Sequence, residues 1–113
     1  MSTTEAKAVA RFIPHSPRKV RLVVDQVRGL QVDQALAILK FMSKAAAMPV
    51  SKAIESAAAN AEENLGLVRS DLYIKEIRAD EGPRRRGYRF GARGRFKPIR
   101  RRSSHIVVVV YER

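Results

Sequence analysis

The chain has 113 residues, a net charge of +12 and no cysteine. Its length favours one domain, because two domains would each be too small to be stable alone. The absence of cysteine excludes disulfides and thiolate metal sites. The first residues lack the apolar core of a signal peptide, and no eighteen apolar residues run together. We therefore expect a soluble protein of the cytosol or of an organelle's interior, with no membrane partner.

The first predicted elements are a short strand over residues 6–13 and a helix over residues 17–28. Ser16 is a favourable N-cap, a proline occupies the first helical position, and Gly29 ends the helix. One apolar stripe follows the helical repeat. It consists of Val20, Val23, Val24 and Val27.

Two further helices are predicted over residues 32–42 and 49–65, the second ended by Gly66. Pro49 lies either in the first turn of the third helix or at a kink. The apolar face of this third helix is rich in alanine, which favours close helix packing over direct contact with RNA. The apolar positions of the two helices are Ala35, Leu36, Leu39, Met42, Val50, Ile54, Ala57, Ala58, Ala61 and Leu65.

Two strands, residues 72–79 and 106–111, are predicted to pair antiparallel with Leu72 opposite Tyr111. That register places the turn of a long hairpin between residues 91 and 92. Each arm then has about 12 residues and extends about 40 Å, too far to fold back onto a small body. We therefore expect one domain, with a body of residues 1–79 and 104–113 and a projecting arm of residues 80–103.

The arm concentrates the charge of the chain. Residues 84–102 hold ten of the 23 basic residues and no acidic one, whereas the rest of the chain carries 13 basic and 11 acidic groups. Such a segment requires a polyanion along a narrow path, and nine arginines to one lysine favour bidentate phosphate contact. A solvated charge run or a disordered tail is the plainer alternative. The position of the basic segment between two predicted strands favours a nucleic-acid-binding arm.

Aromatic side chains alternate with these cations, and they have two interpretations. Tyr88, Phe90 and Phe96 could stack on unpaired bases. In the predicted register, however, Tyr88 faces Arg95 and Phe90 faces Arg93, which would give cation–π pairs within the hairpin. The sequence does not separate these two possibilities.

The remaining polar signals are weaker. His15 could donate to a phosphate or simply occupy a loop, and His105 could contact RNA or make a structural hydrogen bond. Asp80 and Glu81 precede three arginines and resemble a local charge clamp more than a catalytic pair. No phosphate-binding loop, metal-ligand cluster or nucleophile–base arrangement is present, so we expect neither an enzyme nor a cofactor.

Four segments carry a family resemblance: "SPRKVRLVVDQVRG", "ESAAANAEEN", "DEGP" and "RRRSSHIVVVV". Together they resemble the bacterial-type family of large-subunit ribosomal protein twenty-two, over residues 6–111. The resemblance implies an α+β fold, with three helices packed on a small antiparallel sheet and a long protruding β-hairpin. It also implies rRNA binding, a role in large-subunit assembly, and a hairpin that lines the polypeptide exit tunnel.

The partners implied are large-subunit rRNA, neighbouring large-subunit ribosomal proteins and the nascent polypeptide, with no homo-oligomer. The location implied is the cytoplasmic ribosome, and an organellar ribosome is also compatible. The rRNA-binding residues carried over are His15, Ser16, Arg18, Lys19, Arg21, Arg84, Arg85, Arg86, Tyr88, Arg89, Phe90, Arg93, Arg95, Lys97, Arg100, Arg101, Arg102, Ser104 and His105. The expected tunnel tip consists of Tyr88, Arg89, Phe90, Gly91, Ala92 and Arg93, where Phe90 and Gly91 replace the proline and arginine usual in the family.

Two alternatives from other classes remain open at this point. A free RNA chaperone would use the Arg/Gly-rich segment for annealing, although the flanking strands argue against it. A DNA-architectural protein would insert the ribbon into a groove. Such proteins usually dimerise, and the sequence offers no obvious dimerisation surface.

Overall fold

In the described part of the chain, one strand is followed by three helices, a 3-10 turn and four further strands. The computed structural model describes residues 5–82 and 103–113 in full, and residues 85–90 and 96–101 through their backbone. In chain order the elements are β1 (Glu5–Ile13), α1 (Pro17–Val24), α2 (Val32–Lys40), α3 (Ala47–Leu65), a 3-10 turn (Arg69–Asp71), β2 (Leu72–Glu81), β3 (Arg85–Phe90), β4 (Phe96–Arg101) and β5 (Ser104–Glu112).

The body is built on a three-stranded antiparallel sheet in the order β1-β5-β2. The valine-rich β5 lies in the centre, where Ile106, Val108 and Val110 are fully buried. α3 packs on β1 and β5, α1 packs on β2, and α2 packs against α3. The predicted α+β fold of three helices on a small antiparallel sheet is therefore confirmed.

Helix α1 has the predicted apolar stripe but ends earlier than predicted. All four valines of the stripe are fully buried. The α-helix ends at Val24, and the next turns are held by i→i+3 hydrogen bonds, such as Val27 N–H to the Val24 carbonyl at 3.2 Å. This tighter turn, which Gly29 follows at φ 81°, brings the Leu30 carbonyl to the Ile74 N–H at 2.9 Å. A tertiary hydrogen bond to β2 thus accompanies the early end of the helix.

Helices α2 and α3 pack as their patterns predict. α2 ends at Lys40 rather than at residue 42, although Met42 still packs against the core. In α3 Pro49 lies in the first turn and makes no kink, and Gly66 adopts the left-handed conformation that ends the helix. Leu65 is an exception to the predicted apolar face, since it is exposed. The α3 alanines buried against the body are Ala47, Ala53, Ala57, Ala58 and Ala61, which confirms close helix packing.

The predicted strand register is wrong, by one residue at the start and by more along the hairpin. Leu72 pairs with Glu112 rather than with Tyr111, and a bulge between Ile74 and Glu76 shifts the register again. In the second sheet β3 and β4 pair with each other, with Tyr88 opposite Pro98. Bulges accumulate along a long hairpin, so a register extended from one assumed pair drifts.

This register removes the predicted cross-strand cation–π pairs. Tyr88 pairs with Pro98 and Phe90 with Phe96, so neither has an arginine opposite it in the ladder. The predicted turn between residues 91 and 92 lies outside the described residues. The molecule is elongated, with a longest extent of 63 Å and a radius of gyration of 17.0 Å. A compact chain of this length would have a radius of gyration of about 13 Å. The protruding hairpin of the predicted fold is confirmed.

Candidate nucleic-acid interface

At the root of the arm, Ser104 of β5 pairs with Ile13 of β1 and with Glu81 of β2. The Ser104 side chain is fully buried. Its hydroxyl donates to the backbone carbonyl of His15 at 2.5 Å. The root of the arm and the loop before α1 are therefore joined by a buried hydrogen bond. Because this hydroxyl is used inside the protein, the proposed interface omits Ser104 from the predicted RNA contacts.

The backbones of Gly82 and Ser103 also lie close together at the root of the arm. The Gly82 N–H donates to the Ser103 carbonyl oxygen at 2.9 Å. A Cβ atom on Gly82 would lie 2.6 Å from the Ser103 hydroxyl oxygen and 3.2 Å from the Ser103 carbonyl carbon and oxygen. A larger residue at position 82 would therefore require Ser103 to move where the two strands enter the arm.

His105 takes the structural role that was one of its two interpretations. Its Nδ1 accepts a hydrogen bond from the Phe12 backbone N–H at 3.1 Å. The two rings also meet edge to face, with centroids 5.2 Å apart and planes at 88°. Because Nδ1 is an acceptor, the neutral ring carries its proton on Nε2, which remains a donor.

A basic cleft of about 470 Å³ lies beside the start of α1. His15 and Lys19, both predicted RNA contacts, line it together with Leu22 and with residues 44–46 of the α2–α3 connection. Lys44 was not predicted from the sequence, because only the fold brings this connection to α1. The cleft thus joins His15 and Lys19 to a second lysine, Lys44, and lysine is a group that binds phosphate.

The remaining basic side chains of α1, together with Arg28 in the turn after it, divide into two groups. Arg18 is exposed in the first turn. Arg21 donates to the Ala79 carbonyl at 3.2 Å, and Arg28 donates to the Ile77 carbonyl at 3.0 Å. These carbonyls belong to alternate residues of β2, on the edge that does not face β5. Ser16 is the N-cap residue of α1, although its side chain makes no capping hydrogen bond.

Asp80 has a partner in the same strand. Its carboxylate accepts from Arg78 Nε at 3.2 Å, and Glu76 binds the same guanidinium. The hydrogen bond that Arg78 donates to Asp80, followed by the one that it donates to Glu76, raises the pKa of Arg78 above its ordinary value. The expected charge clamp therefore includes Arg78, and its predicted arginines at positions 84–86 lie where no side chain is described.

The predicted arm residues fall into two sets, those whose backbone lies in the β3–β4 ladder and those outside the described part of the chain. Backbone positions in the β3–β4 ladder are given for Arg85, Arg86, Tyr88, Arg89, Phe90, Lys97, Arg100 and Arg101. The other predicted arm and tip residues lie outside the described part of the chain. These are Arg84, Gly91, Ala92, Arg93, Arg95 and Arg102.

The described residues offer neither a metal-binding cluster nor a membrane-spanning helix. Among residues 5–82, 85–90, 96–101 and 103–113, no group of three or more His, Cys, Asp or Glu side chains could hold a metal ion. Within the same part of the chain, no helix is both long and apolar enough to cross a membrane.

Comparison with known proteins identifies the family. Residues 8–111 match the family described as Ribosomal protein L22p/L17e. The chain belongs to this family. It is 51% identical over 109 residues to the large ribosomal subunit protein uL22 of Pelotomaculum thermopropionicum and to that of Desulfitobacterium hafniense. It is 50% identical to that of Chloroflexus aggregans, and each match covers 96% of both chains. The resemblance inferred from the four sequence segments is confirmed.

Proposed function

We propose that this protein is a structural constituent of the large ribosomal subunit that binds large-subunit rRNA and aids subunit assembly. The observation that carries the proposal is the placement of positive charge at one end of the body. The Ser104–His15 hydrogen bond joins the arm root to the loop that lines the basic cleft. The basic cleft therefore lies next to the root of the arm, and it would bind the same polyanion as the ten cations that the sequence places in residues 84–102.

The charge of the arm supports RNA as that polyanion. Ten cations without an acid repel one another, and a two-stranded ribbon is marginal in water by itself. Neutralisation by phosphates removes this repulsion and releases counterions from the nucleic acid. The names of the relatives, all large-subunit proteins, support rRNA over other nucleic acids.

We further propose that the hairpin lines the polypeptide exit tunnel, with its tip at residues 88–93 facing the nascent polypeptide. The elongated shape supports this placement, because a long narrow arm can pass between RNA helices while the body stays outside. The body then meets neighbouring large-subunit proteins, and the protein resides with ribosomes in the cytoplasm. We assign it no catalytic step.

Sedimentation of a cell lysate at high salt tests the proposal first. Near-stoichiometric retention of this protein with the large subunit is expected, because a component embedded in RNA resists salt that strips loosely bound cations. Release into the light fractions would contradict the proposal and favour the RNA chaperone.

A matched pair of double variants tests the contribution of the cleft. Lys19→Gln with Lys44→Gln removes two charges from the cleft, and Lys7→Gln with Lys75→Gln removes two from the opposite end of β1 and β2. Both proteins have the same net charge. We expect only the cleft variant to weaken binding to large-subunit rRNA and to make its salt dependence shallower, by about 0.7–0.9 in slope per lost contact. Equal effects of the two variants would mean that net charge, and not the cleft, determines binding.

A further inference from the structure

Phe12 has an unusual backbone conformation and an exposed ring. Its φ is 58°. Among the described residues, Phe12 is the one non-glycine residue with a positive φ. Its side chain is 57% exposed. A left-handed conformation is strained for a non-glycine residue, and burial of this ring does not offset that strain. The conformation therefore calls for another explanation.

The end of β1 is built to hold Phe12 in this position. The pairing of β1 with β5 is irregular between Ala10 and Ile13, so the strand turns a side chain outward there. The Phe12 N–H is fixed by His105 Nδ1 at 3.1 Å, and the His105 ring contacts the phenyl ring edge to face. Two contacts with β5 thus fix the backbone and the ring of an exposed aromatic residue.

The surroundings of Phe12 indicate the chemistry of its partner. Arg11 precedes it and is exposed, and the Ile13–Ser104 pair at the arm root follows it directly. His15, which lines the basic cleft, is three residues away. An exposed, fixed aromatic ring next to an arginine matches one way in which proteins bind unpaired nucleobases, by stacking on the ring while a cation holds the phosphate.

We propose that Phe12 is a stacking platform for an unpaired nucleobase of the RNA that passes the arm root. This inference rests on the proposed rRNA binding and adds one residue and one mode of contact to it. His105 acts through Phe12 as a positioning residue, because its Nδ1 and its ring fix the orientation of the phenyl group.

The absence of tryptophan from the chain provides a direct test. Phe12→Trp introduces a single tryptophan, which can be excited selectively over the three tyrosines, and stacking on a base should quench its emission when deproteinised large-subunit rRNA is added. The control is Phe41→Trp, at a position that is 85% exposed and follows α2. We expect strong quenching for Phe12→Trp and little for Phe41→Trp.

Binding of the same rRNA provides an independent readout. Phe12→Leu should weaken binding about 5- to 100-fold, which is the effect of losing one stacked base, while the salt slope stays unchanged because no charge is lost. Phe12→Tyr should retain the parent affinity. Circular dichroism of each variant verifies that it is folded, and the tryptophan readout decides the matter if Phe12→Leu does not fold.

Failure of this inference is distinct from failure of the proposed function. If Phe12→Trp binds rRNA with the parent affinity but its emission is unquenched, base stacking is refuted and rRNA binding stands. If the parent protein does not bind the rRNA, both are refuted.

Discussion

Replacing Ser104 by alanine should destabilise the body, although the change removes a single oxygen atom. The Ser104 hydroxyl is buried and donates to the His15 carbonyl at 2.5 Å. A hydrogen bond of this kind contributes about 0.5–1.5 kcal/mol net, and leaving its acceptor without a partner costs about 1–3 kcal/mol. We therefore expect Ser104→Ala to lower the free energy of unfolding by about 1–2 kcal/mol. The melting temperature should fall by about 5–10 °C.

Urea unfolding of the free protein, followed by circular dichroism, measures this change. Ser56→Ala, on the exposed side of α3, is the matched control and should stay within about 0.5 kcal/mol of the parent. The acceptor is a backbone carbonyl, so the cost of Ser104→Ala should be the same when His15 is also replaced by alanine. A loss below about 0.5 kcal/mol would refute the buried hydrogen bond as a source of stability. A loss that disappears in the His15→Ala background would mean that the hydroxyl binds the imidazole instead.

Three further predictions concern the arm and the packing of α3. Deleting residues 88–94 should spare both folding of the body and incorporation into the subunit, because the buried apolar residues lie elsewhere; ribosomes that exclude the deletion variant would contradict this. Replacing Arg100, Arg101 and Arg102 by alanine should make the salt dependence of rRNA binding shallower by about 2–3 in slope, and an unchanged slope would mean that these arginines do not touch phosphate. Ala57→Leu should lower the free energy of unfolding by about 1–3 kcal/mol, because Ala57 is fully buried against the body, whereas Ala37→Leu on the exposed side of α2 should be nearly neutral in the same denaturation assay.

The sequence predicts the helices and strands of the body well, because each has one apolar face. The valine stripe of α1 and the alanines of α3 have periods that a helix alone can satisfy, and they are buried as predicted. The ends of the helices are predicted less well. α1 ends at Val24 because the following turn bonds to β2, and no local pattern encodes a contact with a strand more than forty residues away.

The hairpin shows a second limit of sequence-based prediction. Its existence follows from two strands that flank a glycine-rich centre, but its register depends on the bulge between Ile74 and Glu76. The sequence there, "YIKEI", gives no signal for an extra residue. This bulge, the one-residue offset at Leu72 and a further shift between the Glu81–Ser104 and Arg85–Arg101 pairs made the predicted facing pairs wrong, and with them the prediction that arginines lie opposite Tyr88 and Phe90.

The candidate site was predicted where it is continuous in sequence and missed where the fold assembles it. His15 and Lys19 could be predicted because they surround a recognisable helix start. Lys44 could not, since it lies in a connection between two other helices and reaches the cleft through tertiary packing. Phe12 appeared to be an ordinary strand residue, and only its positive φ distinguishes it.

Arg21 of α1 and Arg28 in the turn after it also help to keep the free protein from aggregating before it binds RNA. β2 is an edge strand, and an uncovered edge is a template on which another chain can add a strand and begin to aggregate. Here the Ile74 N–H donates to the Leu30 carbonyl. The guanidinium groups of Arg28 and Arg21 donate to the carbonyls of Ile77 and Ala79. A newly made copy that extended the sheet at β2 would have to displace these bonds and approach two cations. Part of the positive charge thus protects the chain from its own copies.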